Sequence, residues 1–383
     1  MGEMREKDDG EGMSGTREEL TGVPGLARLV VVDRTGSTND DLRSALTGVD
    51  GRLDLRAAAA WPHISALWAR RQDAGRGRAG RRWITPPGSA LTVSFVLRPL
   101  VPAAALAWLP LLAGLAARDV VDAILISARA PWRARTKWPN DVVLVPNERA
   151  GEGTAAGAGV GIGVGEGTGG GAGAAAVPVP AEIPGWGRAR KVAGVLAELI
   201  PTAGGIGART SAGTTGTADA SGAVAAGAAD APGAVGAAGA PGGGGAVGAD
   251  RGAACAVVLG IGVNTGQSES ELPVPWATSL RLAGARVEPR ALLEPLSARL
   301  DELVTAWEAG EGDPDAGDGA LGAALRRACT TLGRRVRVDA PGGVLRGTAV
   351  DIAPGLVLRG ADGTMRTVDA GDVSHVRTDG AVD

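Results

Sequence analysis

Cysteine is almost missing from this 383-residue chain: Cys255 and Cys329 stand far apart and without C-x-x-C spacing. That excludes a disulfide scaffold and a cysteine zinc site, and a reducing, cytoplasmic setting is expected. Histidine is as scarce, with only His63 and His375, and no G-x-S-x-G run occurs, so a hydrolase triad is not expected. Positive charge is not in excess: 39 Lys and Arg against 42 Asp and Glu leave a net −3, and bulk charge announces no nucleic acid. The stretch up to Glu19 is charged and lacks an apolar core, so it reads as no secretory signal. Between Arg98 and Arg118 every residue is uncharged, but Pro99, Pro102 and Pro110 interrupt the run. A buried helix kinked near Pro110 is expected there, and no membrane span.

Large side chains are wanting in two Gly/Ala-rich blocks, at about 148–186 and 202–252. Such blocks cannot feed a core, which leaves roughly 270 residues for one large and one small domain. Both read as disordered insertions at hairpin tips, because the cost of closing a loop grows only logarithmically with its length. Residues 1–24 read as a disordered polar leader.

The remaining chain carries alternating and helical patterns. Leu26 to Val32 predicts a strand, and Thr35-Gly-Ser-Thr-Asn-Asp40 offers caps for a helix over Asp41 to Leu46. Further strands are predicted over His63 to Ala69, Leu91 to Leu97, Val142 to Val145 and Ala256 to Asn264, with an apolar stretch from Lys191 to Leu199. A long helix is predicted from Ala103 to Ile126. Leu292, Leu293, Leu296, Leu300, Leu303 and Trp307 recur at helical spacing. Beyond Arg334, short β-like runs punctuated by Pro341-Gly342-Gly343, Pro354-Gly355 and Asp362-Gly363 predict a small barrel.

Two segments carry chemistry. The first is Gln72-Asp-Ala-Gly-Arg-Gly-Arg-Ala-Gly-Arg-Arg-Trp83. Gly75, Gly77 and Gly80 satisfy G-x-G-x-x-G, but Pro86 and Pro87 follow where a dinucleotide fold needs a helix. A second match at Gly165, Gly167 and Gly170 falls in low complexity. The loop suits an anion cradle, in which glycines let backbone N–H groups approach and Arg76 and Arg78 offer forked donors. A solvated basic loop and a nucleic-acid patch are the other readings. The latter lacks interleaved aromatics beyond Trp83, in a chain with no tyrosine and a single phenylalanine. The second segment is Lys137-Trp-Pro-Asn-Asp141. Its lysine could bridge a carboxylate and a phosphate in acyl-adenylate formation, while Asp141 could hold magnesium, receive a proton or brace the turn.

Together with Ser37-Thr38-Asn39, Lys191-Val-Ala-Gly-Val195, Gly260-Ile-Gly-Val-Asn264 and Ala277-Thr-Ser-Leu280, these segments resemble the biotin protein ligases over about residues 25 to 378, the two insertions excluded. The resemblance implies an α+β fold: a class II synthetase-like mixed sheet with helices on one face over 25–310, then an SH3-like β-barrel over 328–378. It implies biotin and ATP as substrates with Mg2+, a biotinyl-5′-adenylate intermediate, and transfer to a lysine of the biotin carboxyl carrier domain of an acyl-CoA carboxylase. By that resemblance Ser37, Thr38, Asn39 and Gln72 hold the biotin ring, while Arg76, Gly77, Arg78 and Lys137 hold its carboxylate. Arg76, Arg78, Arg81, Trp83, Lys137, Asn140, Lys191 and Asn264 bind ATP. Arg76, Arg78, Lys137 and Asp141 act in catalysis, with no metal ligand assigned.

Many relatives carry an N-terminal winged helix that binds DNA. Few residues precede Ser37 here, so no DNA role is expected; no membrane partner is expected either, and a homodimer is compatible. A lipoate or octanoate ligase-transferase of the same fold and a non-catalytic ligand-binding regulator are the alternatives.

Overall fold

The computed structural model describes residues 13–83, 86–147, 180–202, 255–369 and 371–375. An eight-stranded sheet forms its centre. Its strands are β1 (Met13–Leu20), β2 (Arg28–Thr35), β3 (Ser65–Ala69), β4 (Ala90–Leu97), β5 (Trp132–Lys137), β6 (Asp141–Pro146), β7 (Arg190–Ile200) and β8 (Ala256–Asn264), in the order β1-β2-β3-β4-β8-β7-β6-β5. Only β2 and β3 run parallel; every other neighbouring pair is antiparallel.

Alternation along β2 and β4 divides the core. Leu29 and Val31, with Leu91, Val93, Phe95 and Leu97, face a large cluster that includes α3 (Leu109–Ser127) and α4 (Leu293–Ala309). Val30, Val32, Leu67 and Val96 point the other way, onto Leu42 and Leu46 of α1 (Thr38–Leu46) and Ala58 of α2 (Leu55–Ala59). The expectation of helices on one face therefore holds for α3 and α4, whereas α1 and α2 cover the opposite face. The reason is visible in β3 and β4, buried at every position.

Three local expectations are corrected. The leader contributes β1, which pairs with β2 from Met13↔Thr35 to Leu20↔Leu29, so order begins well before residue 24. Pro110 does not kink a helix; it lies in the first turn of α3, where its missing N–H costs nothing, and a 3-10 turn over Ala103–Trp108 precedes it. Residues 180–186, expected to belong to the first insertion, hold instead part of a tight turn from Ile183 to Gly187. The second glycine match at 165–170 lies outside the described residues, as do residues 148–179 and 203–254. The strands flanking those blocks pair as expected: β6 with β7 and β7 with β8, both antiparallel.

After α5 (Ala320–Ala328) comes a five-stranded antiparallel sheet of β9 (Arg335–Ala340), β10 (Gly343–Ala353), β11 (Gly355–Arg359), β12 (Met365–Val368) and β13 (Asp372–His375), ordered β12-β11-β10-β9-β13. It docks on the Lys137 to Asp141 turn: the Trp138 amide donates to Thr331 Oγ1 (3.1 Å) and its indole to the Pro354 carbonyl (3.3 Å). Among the described residues no helix is long and apolar enough to cross a membrane.

Candidate active site

The α1 face of the sheet carries the site. Ser37 caps α1, its Oγ accepting from the Asp40 amide at 3.4 Å. That geometry lays Thr38 and Asn39 over β4, where alternation turns Ser94 toward them. Thr38 Oγ1 lies 2.7 Å from Ser94 Oγ, and Ser94 Oγ donates to Asn39 Oδ1 at 2.6 Å. Gln72 Oε1 accepts from the Thr38 amide (2.8 Å) and hydroxyl (3.1 Å), and Asn39 Nδ2 donates to Glu198 Oε2 (2.8 Å). The result is a buried recess of neutral donors and acceptors. Gly260 of β8 makes room for it, since a Cβ there would stand 2.3 Å from Asn39 Oδ1.

The arginine loop closes on itself around a single 3-10 turn, Arg78–Gly80. Trp83 N–H donates to the Gly75 carbonyl (2.8 Å) and Gly77 N–H to the Arg81 carbonyl (2.7 Å), with Arg76 and Arg82 bridged. A side chain at Gly75 would strike the Trp83 carbonyl at 2.6 Å, which is why glycine stands there. Arg76 pairs with Glu198 (2.8 Å) and Asp40 (2.5 Å), and Arg81 with Asp372 of β13 (2.8 Å). Arg78 differs from both: among the described residues its guanidinium makes no ion pair and a long hydrogen bond to Asn140 Oδ1 (3.4 Å), and burial pushes its pKa down, partly offset by the charges of Asp372 and Asp141.

Two lysines complete the cluster. Lys137, 5% exposed at the end of β5, donates from Nζ to the Val373 carbonyl at 2.6 Å. Burial lowers the pKa of its ammonium, partly offset by Asp141. Lys191 of β7 pairs with Asp141 Oδ1 at 2.5 Å. Trp83 packs on the glycines of β7 and β8: a Cβ at Gly262 would fall 2.6 Å from its ring, and one at Gly194 3.4 Å. Asn264 is fixed in the wall by donating to the Thr278 carbonyl (2.9 Å) and accepting from Gln267 (2.9 Å).

These groups line one cavity of about 420 Å³, and every residue given a binding or catalytic role in the sequence reading is in its wall: Ser37, Thr38, Asn39, Gln72, Arg76, Gly77, Arg78, Arg81, Trp83, Lys137, Asn140, Asp141, Lys191 and Asn264. The sequence did not point to Trp186, Trp276 or the Asp372–Ser374 edge of the small sheet, which also line it, nor to Glu198, which holds Asn39 and Arg76 from behind the wall. Trp186 borders low complexity and Glu198 sits in an apolar strand, so neither stands out by pattern.

Two family models match in tandem: the biotin/lipoate A/B protein ligase family over residues 53–210, and the biotin protein ligase C-terminal domain over 331–376. A biotin–[acetyl-CoA-carboxylase] ligase of Mycobacterium tuberculosis is 28% identical across 94% of this chain and 94% of its own length. The chain belongs to the biotin protein ligase family. Another such ligase, from Paracoccus denitrificans, is 38% identical over 31% of this chain and 42% of its own. In fold the chain is similar to the biotin protein ligase from Aquifex aeolicus solved with biotin and ATP, with a TM-score of 0.52 at 19% identity, over 91% of this chain and 99% of that one.

The site's donor set does not fit a resident metal ion. Among the described residues no three acidic or imidazole groups cluster, and Asp141, Glu198 and Asp372 are each paired with a cation.

Proposed function

We propose that the chain activates biotin with magnesium-ATP and passes the biotinyl group to a lysine of the biotin carboxyl carrier domain of an acyl-CoA carboxylase. The observation that carries this reading is the joining of two unlike environments in one cavity: the neutral recess at Ser37, Thr38, Asn39 and Gln72, and the cations Arg78, Lys137 and Lys191 beside it. The recess suits a polar, uncharged ring such as the ureido group of biotin. The cations suit a carboxylate meeting a phosphate.

In the first step a carboxylate oxygen attacks the α-phosphorus, the bond to the bridging oxygen breaks, and pyrophosphate leaves. Arg78 and Lys137 make no ion pair among the described residues, whereas Arg76, Arg81 and Lys191 are each paired with a carboxylate. Preorganised cations that need not rearrange stabilise the charge gathering at phosphorus. In the second step the carrier amine attacks the acyl carbon and AMP leaves, with Asp141, a carboxylate of the cavity wall beside Lys137 and Lys191, taking the amine proton. Trp83, over Gly194 and Gly262, and Asn140, Lys191 and Asn264 line the nucleotide side.

Biotin-dependent exchange of labelled pyrophosphate into ATP tests the first step, run in parallel with lipoate and octanoate. Exchange with biotin alone is expected. Exchange supported by lipoate or octanoate in its place would move the chain to the lipoyl branch.

A further inference from the structure

Trp186 belongs to none of the motifs read from the sequence, yet it meets three separate parts of the site. Its ring stacks on Trp276, with centroids 5.9 Å apart and planes 12° from parallel. The Lys137 ammonium sits 4.4 Å from the centre of the same ring. The turn that carries it is closed by paired hydrogen bonds between Ile183 and Gly187 (2.8 and 2.7 Å) and is tied to β13, the His375 amide donating to the Gly185 carbonyl at 3.2 Å. Gly185 and Gly187 both have positive φ, 69° and 57°, a backbone course that a side chain would strain.

Trp276 is held as firmly, because the Lys191 amide donates to its carbonyl at 2.7 Å. Both indoles line the cavity, on the side of Lys137 and the Asp372–Ser374 edge. A nearly buried ammonium with one carbonyl acceptor gains from an aromatic face, whose negative quadrupole attracts it where water is excluded. A rigid offset pair of indoles is also a flat apolar wall, of the shape a purine base stacks on.

We propose that Trp186 is a positioning residue for adenylation: it holds the Lys137 ammonium against the Val373 carbonyl and braces Trp276 on the nucleotide side. This rests on the function proposed above. It predicts a loss that falls chiefly on the nucleotide, since the acid's ring sits in the recess on α1 and β4, remote in sequence and hydrogen bonding from this turn, and Lys137 meets the acid at its carboxylate alone.

The test has two arms. The chain holds three lysines, Lys7, Lys137 and Lys191, so spectra of protein labelled in lysine side chains are sparse, and Lys137→Arg assigns the Lys137 signal. Its methylene protons next to the ammonium are expected upfield in the wild type, shifted by the indole ring current, and to return toward the free-lysine position in Trp186→Ala. In pyrophosphate exchange Trp186→Ala is expected to raise KM for ATP by about fivefold or more, with KM for biotin within about twofold, and Trp186→Phe to recover most of the loss. A Lys137 signal unmoved by Trp186→Ala overturns the proposal, and so does a parallel rise of both KM values that phenylalanine does not rescue. If the wild type shows no biotin-dependent exchange, the adenylation role falls with the function reading, while the spectra still decide whether Trp186 holds Lys137.

Discussion

Arg76, Arg78 and Arg81 are three neighbouring arginines with different duties. Arg76 and Arg81 are spoken for by Glu198, Asp40 and Asp372, while Arg78 faces the cavity with no ion pair among the described residues. Arg78→Gly is therefore expected to speed escape of the adenylate by about tenfold or more, the loss of one charge-assisted contact of about 1.5 kcal/mol, measured as release of the labelled intermediate. Unchanged release would remove Arg78 from that role. Gly260 makes a second, purely steric prediction. A methyl group there collides with Asn39, which Ser94 and Glu198 hold from two sides. Gly260→Ala is expected to weaken biotin binding by about tenfold or more, read by calorimetry, with KM for ATP much less affected. The arginines and glycines were legible in the sequence because their types crowd into a dozen positions. Their division of labour was not, because the partners Glu198 and Asp372 lie in β7 and β13, far away along the chain.

Among the elements, β7 and β8 show how little the chain between two strands matters to their pairing. Eight register pairs, from Ala193↔Val263 to Ile200↔Ala256, join them across the block that separates them in sequence. Loop entropy grows slowly enough for that pairing to survive a long connection or a short one. Deleting residues 205–250 is expected to leave pyrophosphate exchange within about twofold of the full chain and stability unchanged or slightly raised. A large loss of exchange would show that the block serves the site. The helices were harder to place than the strands. Their apolar periodicity was plain in α4, but periodicity says that one face is buried and not against which side of a sheet. α1 was cut short in prediction for a different reason: Thr38 and Asn39, poor helix interior residues, begin it because Ser37 caps it and Ser94 binds them.

At the level of the assembled chain, the small C-terminal sheet is part of the cavity wall. Its strand β13 supplies Asp372 to Arg81 and the Val373 carbonyl to Lys137. His375 at the end of that strand is pushed down to about 4, chiefly by burial and then by the charges of Lys137 and Arg334. The folded chain thus keeps His375 neutral while the unfolded chain takes up a proton near the ordinary value of about 6.5, so stability falls as pH drops from about 6.5 to 4. The loss amounts to about 3 kcal/mol at most over that window. His375→Phe should flatten the change in urea midpoint between pH 7 and 5; an equally steep change in the variant would assign the pH dependence to other groups.

Local chemistry could be read off the chain as it stands: a glycine- and arginine-rich loop suited to an anion, a lysine on a tight turn, a cap, strands by alternation, and two stretches with nothing to bury. Those properties follow from side-chain type and spacing, which need no partner. Contacts between distant segments required the fold. Antiparallel pairing brought Glu198 beneath Arg76, docking of the small sheet set Val373 on Lys137, and a turn after a featureless block placed Trp186 against Trp276. None of these leaves a periodic trace in sequence, because each depends on where two surfaces meet, and that is settled by burial of the whole core at once.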